Sequence, residues 1–339
     1  MNAASDEYRG LGWEHGCLTV QALGAMLAPI TFVLPGGRQV SPMHIAPWAE
    51  EPASAALPGV LRGLRGDWLC APFGSAAETT HFPEAWAKLM GPAEPDEELH
   101  GHCANHAWQW QDAPAGTLRL AIEYPEASPV SRIERSVTPD PSSPAVDIEL
   151  RIAVRRDCRM PIGLHPTLRL PAGAGQAQIE PGRFAEGLTY PGLAEPSAPL
   201  FVSGAHFDDL AAVPARSGGT IDASRLPLAH VTEELLQLNG IDGTAALANH
   251  AEGYRVRLSW QKEHFPSLLL WISNGGRKME PWSGRHRAVG IEPICSPFGL
   301  ALATALADNP IAASGTPTAQ SFRQGADFVT RYRIAAELL

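Results

Sequence analysis

The sequence predicts an all-β protein, a large antiparallel β-sandwich with few and short helices. Three observations predict it. Thirty-one prolines and 32 glycines are spread along 339 residues rather than clustered, which favours many short elements joined by turns. Apolar residues alternate with polar ones over 118–124 and 146–152, the period of strands with one buried and one wet face. The run 267–273, Ser-Leu-Leu-Leu-Trp-Ile-Ser, is apolar in both phases, as in a strand covered on both sides. No internal repeat and no long linker divides the chain, so one domain over 1–339 is expected.

Taken in order, residues 1–16 form a loose leader. Strands are expected over 17–27 and 30–34, with Pro35-Gly36-Gly37 as the turn into a strand over 40–45. Residues 51–66, rich in Ala, Pro and Gly, connect to a short apolar segment over 68–73. The stretch 84–90 makes two helical turns, and 92–98 is an acidic loop bearing proline. Pro139 to Pro144 holds three prolines and two serines and marks a turn. Residues 171–228 read as a long excursion of loops and short strands. The segment 232–238 is one helical turn or an edge strand, 254–260 is an alternating strand, and 300–307 is the best helical candidate, stopped by Asp308-Asn309-Pro310.

Composition excludes several classes. The formal charge of −10, with no basic cluster, argues against nucleic-acid binding. Five scattered cysteines, an odd number, read as reduced thiols in a cytoplasmic protein. The first residues are polar and acidic, unlike a secretory signal, and no run reaches the ~20 apolar residues that span a bilayer.

Two stretches carry the chemistry. In Arg287-Ala288-Val289-Gly290-Ile291-Glu292-Pro293-Ile294-Cys295-Ser296-Pro297-Phe298-Gly299, a carboxylate sits on a short apolar strand, and Pro293 is expected to turn the chain out of the sheet. Apolar neighbours raise the pKa of such a Glu, which suits a general base. The alternative is a strand cap, or a pair with Arg285 or Arg287. Pro161-Ile162-Gly163-Leu164-His165-Pro166-Thr167 has the same shape around a histidine, which is otherwise a core His bonded to backbone.

Together these stretches resemble the aldose 1-epimerase (galactose mutarotase-like) superfamily, in which a His-Pro strand supplies the general acid and a late Glu the base. Leu99-His100-Gly101, followed by Trp108 and Trp110, resembles the family's sugar-binding His-Gly. Residues 321–334 resemble its closing hairpin. The resemblance runs the length of the chain and rests on the order of short motifs. It implies a supersandwich fold, an open sugar cleft and an isomerase that interconverts sugar anomers without a cofactor. The implied catalytic pair is His165 and Glu292. Candidates for substrate binding are His100, Trp108, Asp242 in the turn 239–243, and Arg285, which suits an anionic sugar or equally a surface ion pair. Trp110, Trp271 and Trp282 are further stacking candidates, with core packing favoured for Trp271. The implied partner is a small sugar, with no nucleic acid and no membrane, and the protein a monomer or homodimer. Two departures leave the sugar open: Thr167-Leu168-Arg169 stand where the family has an aromatic and Asn, and no Arg precedes His100 between 75 and 99.

Two other classes remain. One is a non-catalytic sugar-binding or regulatory protein on the same fold. The other is a metal-dependent, cupin-like enzyme using His100, His102 and His106.

Overall fold

The computed structural model describes residues 7–75, 81–91, 98–195 and 197–339. Two large antiparallel sheets dominate it. One has nine strands and the other eight, and a four-stranded sheet at the N-terminal end lies beside them. Helices are single turns such as Glu84–Ala87, His102–Asn105 and Leu302–Leu306. Among the described residues, no helix is long and apolar enough to cross a membrane. Residues 92–97 of the expected acidic loop and the first six residues of the leader lie outside the described residues.

The eight-stranded sheet positions the site. Its strand Arg287–Cys295 pairs from Arg287 to Ile294 with Ser267–Asn274, which pairs in turn with Thr232–Asn239. On its other side it meets two short strands, Ile162–Leu164 and Thr167–Arg169, with His165 and Pro166 in the break between them. Pro293 does not end the strand as expected; it stands opposite Leu268 and the strand continues to Cys295. The Ile291 N–H donates to Pro166 C=O, on the side of the two short strands. Residues two apart send their N–H groups to the same side, so the position that lacks a donor at Pro293 faces the break and interrupts no ladder bond.

Period-2 alternation divides these strands between two cores. Val289, Ile291 and Cys295, with Leu268, Leu270 and Ile272, pack into the main core. Leu269, Trp271 and Ile294 face the other way, into a second core with Trp48, Trp68, Phe73 and Trp282. A second core rich in tryptophan on this face is why the run 267–273 lacks a wet side.

Several expected elements are revised. Tyr8–Trp13 is a strand paired with Gly16–Gln21, so the leader is ordered from there on. The strand expected over 17–27 breaks after Gln21, whose N–H is taken by Met26 C=O across a turn with Gly24 and Ala25 at positive φ. Pairing stops at Val40, and Met43 and Ile45 make only isolated bridges. Thr232–Asn239 is an interior strand, bonded on both sides, because its polar residues are bonded inside the protein rather than to water. The short strand Gln320–Phe322 pairs with Cys158–Met160 rather than forming a hairpin with Phe328–Leu338, although the turn itself forms, with a bridge between Arg323 and Ala326.

Candidate active site

A cavity of about 240 Å³ opens on the tryptophan-rich face of the eight-stranded sheet, lined by His100, His165, Arg277 and Glu292 among aromatic side chains. Its floor follows from the strand period. Gly290, Glu292 and Ile294 share a face, as do Leu269 and Trp271 across the ladder. Its rim includes the exposed side chain of Leu99.

His165 Nε2 stands 3.4 Å from Glu292 Oε1. Both residues are buried, 5 % and 1 % exposed. Separate contacts from each group to its own sugar oxygen would set them about 5–8 Å apart in an open cleft. The observed pair is closer and more enclosed, because the break at 165–166 sits directly opposite residues 291–293. At 3.4 Å the contact is at the outer edge of hydrogen bonding, and among the described residues Oε1 has no other partner. Burial pushes the Glu292 carboxyl well above the usual range. Burial, and then the neighbouring His100, pushes His165 well below its own. Both directions favour an uncharged pair that holds one proton between them.

Three contacts orient the imidazole. Trp68 stacks on it, 4.0 Å between centroids and 15° between planes. Thr167 Oγ1 lies 3.3 Å from Nδ1 and donates to the His165 carbonyl. The hydroxyl oxygen therefore accepts from Nδ1–H, which leaves the Nε2 lone pair facing Glu292. Thr167 is one of the departures from the family pattern, and its role was not legible in the sequence; a β-branched hydroxyl two residues after a histidine is too common a signal.

His100 sits at a corner with φ 63°, followed by Gly101 at φ 78°. Its Nδ1 accepts from the Gly74 N–H at 3.2 Å, so its Nε2 carries the proton. Burial lowers its pKa to about 4, keeping it neutral. Across the cavity, Arg277 lies over Trp282, 4.5 Å from the ring centroid, and 3.4 Å from the buried Glu233. Glu233 Oε1 also accepts from Trp271 Nε1 at 2.6 Å, and its Oε2 from Ser273 Oγ at 3.0 Å. Ser273 Oγ in turn meets His286 Nδ1 at 2.8 Å. This chain fixes an indole and a guanidinium on the cavity wall. Sequence reading missed it: Glu233 lies in a segment whose burial was not apparent, and Arg277 follows two glycines without any motif.

The other sequence candidates are placed elsewhere. Trp108 is buried in the main core and its indole N–H is spent on Cys103 C=O, at 2.8 Å. Asp242 accepts from Arg183 N–H and Thr244 Oγ1, which makes it a turn-stabilising residue between strands of different sheets. Arg285 pairs with Glu51 at the surface, and Arg277 is the cation that lines the cavity. Trp271 packs in the second core, as expected, and also lines the cavity, as Trp282 does, while Trp110 does not. The three histidines of the metal alternative do not form one ligand set: His100 turns into the cavity, 5.1 Å from the His165 ring, while His102 and His106 stack on each other outside it, 4.0 Å between centroids. Glu292 faces His165 rather than Arg285 or Arg287.

No protein-family model matches the chain, and no curated protein matches it in sequence. Solved structures do match in fold. The chain has the galactose mutarotase-like fold, an antiparallel supersandwich. A proposed aldose 1-epimerase from Escherichia coli K12 superposes with a TM-score of 0.66 at 13% identity, over 98% of this chain and 99% of that one. An aldose epimerase homologue from C. elegans gives 0.63 at 15% identity, over 98% and 99%. A galactose mutarotase-like protein from Clostridium acetobutylicum gives 0.62 at 11% identity, over 98% and 95%.

Proposed function

We propose that the protein is an aldose 1-epimerase-like isomerase that interconverts the α and β anomers of a hexose or related sugar, with His165 and Glu292 as its acid–base pair. The observation that carries the reading is the 3.4 Å approach of two buried, oppositely shifted groups in a cavity of small-molecule size. Ring opening of a cyclic hemiacetal needs a proton removed from the anomeric hydroxyl and one given to the ring oxygen. Once the shared proton passes from Glu292 Oε1 to His165 Nε2, Glu292 as carboxylate takes the first, and the protonated Nε2 of His165 gives the second. The pair is then left as carboxylic acid and neutral imidazole, the uncharged form that burial favours. Rotation about C1–C2 and the reverse transfers close the ring on the other face. Proton count is conserved at each stage, and the step needs no redox or group-transfer cofactor.

Because the two groups face each other directly, a sugar engages both only if they part, so rotation of Glu292 belongs to binding. His100 Nε2–H serves as a donor to a sugar oxygen. Trp271 and Trp282 offer apolar faces to the ring, and Arg277 a charged donor to a hydroxyl. The lining runs from Val60 to Gly299 of one chain, which supports reading 1–339 as one domain and needs no residue from a second copy, whether monomer or homodimer. All five cysteines are free thiols, in keeping with a cytoplasmic enzyme.

The test is the rate of anomer interconversion, followed by polarimetry from pure α-anomers of a panel of neutral and phosphorylated aldoses. Acceleration over buffer for at least one sugar supports the reading. Saturable sugar binding with no acceleration on any member would replace it with a sugar-binding role on the same fold.

A further inference from the structure

The strained corner that carries His100 is flanked by three potential metal ligands. Glu98 precedes it; His102 and His106 follow. One ligand atom from each lies within 4.8 Å of the others. The Glu98 carboxylate reaches both rings, with Oε1 2.7 Å from His106 Nε2 and Oε2 3.5 Å from His102 Nδ1. Ligand atoms held tetrahedrally by one zinc ion stand about 3.4 Å apart, and each ring must turn its edge to the ion, so closing on one requires the two imidazoles to swing out of their stack.

The backbone that presents these groups is fixed. Asn105 Nδ2 donates to Leu99 C=O and Gly101 C=O, at 2.7 and 2.9 Å, and its Oδ1 accepts from Val60 N–H. His102 opens the helical turn His102–Asn105, and its ring packs against Tyr124, 5.0 Å between centroids. The two imidazoles are stacked with 27° between planes, and each presents one nitrogen to the same carboxylate. His102 and Glu98 are partly buried, while His106 is exposed, leaving a solvent-facing side on which water completes the coordination.

We propose that Glu98, His102 and His106 form a binding site for a zinc-class divalent transition metal that clamps the His100 corner. Two imidazoles and one carboxylate suit a borderline ion such as zinc and do not suit magnesium or calcium, which take oxygen ligands. The site is separate from the cavity, since none of its three residues lines it, and the ion takes no part in the proton transfers. Its effect is mechanical. Residues 98 and 102 lie on either side of the two consecutive positive-φ residues, His100 and Gly101, so an ion bound by both flanks holds the His100 ring and the Leu99 rim in place.

Direct binding tests this without reference to any sugar. Tag-free protein stripped with a chelator is titrated with zinc chloride alone by calorimetry, and in parallel with magnesium chloride. The expected result is one saturable zinc site per chain, no magnesium site, and a Tm that rises with zinc concentration. His106→Gln and Glu98→Gln, both at partly exposed or exposed positions, each lose the site at least tenfold in affinity while keeping the metal-free Tm. Hydrogen exchange at residues 98–106 slows on addition of zinc in the wild type only. Absence of saturable zinc binding overturns the proposal, as does zinc binding that persists unchanged in both variants.

Discussion

Residue 290 is glycine because the Glu292 side chain occupies the space above it: a Cβ at 290 would lie 2.1 Å from Glu292 Oε1 and 3.1 Å from Trp271 Cβ. The two residues share the cavity face of one strand. Gly290→Ala therefore displaces the carboxylate that meets His165. The expected outcome is a loss of at least tenfold in the rate of anomer exchange, with overpacking costing about 1–3 kcal/mol of stability by urea titration. An alanine variant with unchanged rate would show that the position of Oε1 does not matter.

Arg277 and Arg285 separate the cavity from the surface. Arg277→Ala removes a donor from the wall and its cover over Trp282, and should raise KM about tenfold with a smaller change in kcat. Arg285→Ala breaks a surface pair with Glu51 and a long contact to the Pro281 carbonyl, and should leave both constants and the stability nearly unchanged. Steady-state kinetics on both variants checks the assignment; equal effects would contradict it.

Glu233 holds Trp271 and Arg277 through one carboxylate. Glu233→Gln keeps the shape but turns an acceptor towards a donor, leaving Ser273 Oγ, Trp271 Nε1 or Arg277 short of a partner. The expected cost is about 1–3 kcal/mol of stability, with KM raised by the loosened wall. Tryptophan fluorescence and a KM-against-kcat comparison read the two effects separately.

The strand period, the turn residues and the order of His165 and Glu292 were all legible in the sequence, because they depend on local pattern and chain order. Pro293 misled: a proline in a strand normally marks an edge, and only the break at residues 165–166 of the neighbouring segment makes it harmless. Trp108, Asp242 and Arg285 have residue types that suit a sugar site, yet each is satisfied by a partner elsewhere. Arg277, Glu233 and Thr167 were invisible for the opposite reason, since their roles come from contacts across strands that no spacing encodes. His100 and His102 are two apart in sequence, and a corner with positive φ sends one into the cavity and the other out of it.

His44 gives a pH dependence with a definite sign. Burial lowers its pKa from 6.5 to about 4, and it packs edge-on against His286, 4.6 Å between centroids. Between those two pH values the unfolded chain binds a proton there that the native state does not. Native stability at this position is full above pH 6.5 and is lost as pH falls towards 4. Relative to His44→Gln, the wild type should lose up to about 1.4 kcal/mol per pH unit across that window. Urea midpoints for both proteins at a series of pH values check this, and parallel profiles would contradict it.

The central claim is that Glu292 and His165 transfer protons to and from a sugar. Glu292→Gln preserves size and the fold around Gly290 but removes the carboxylate. The most direct measurement is anomer exchange by NMR saturation transfer, on a sugar the wild type accelerates, with wild type and variant at equal concentration and matched circular dichroism. The account predicts a fall of about 10²–10⁴-fold in the enzyme-dependent rate with the fold retained. A glutamine variant that exchanges anomers as fast as the wild type would contradict it.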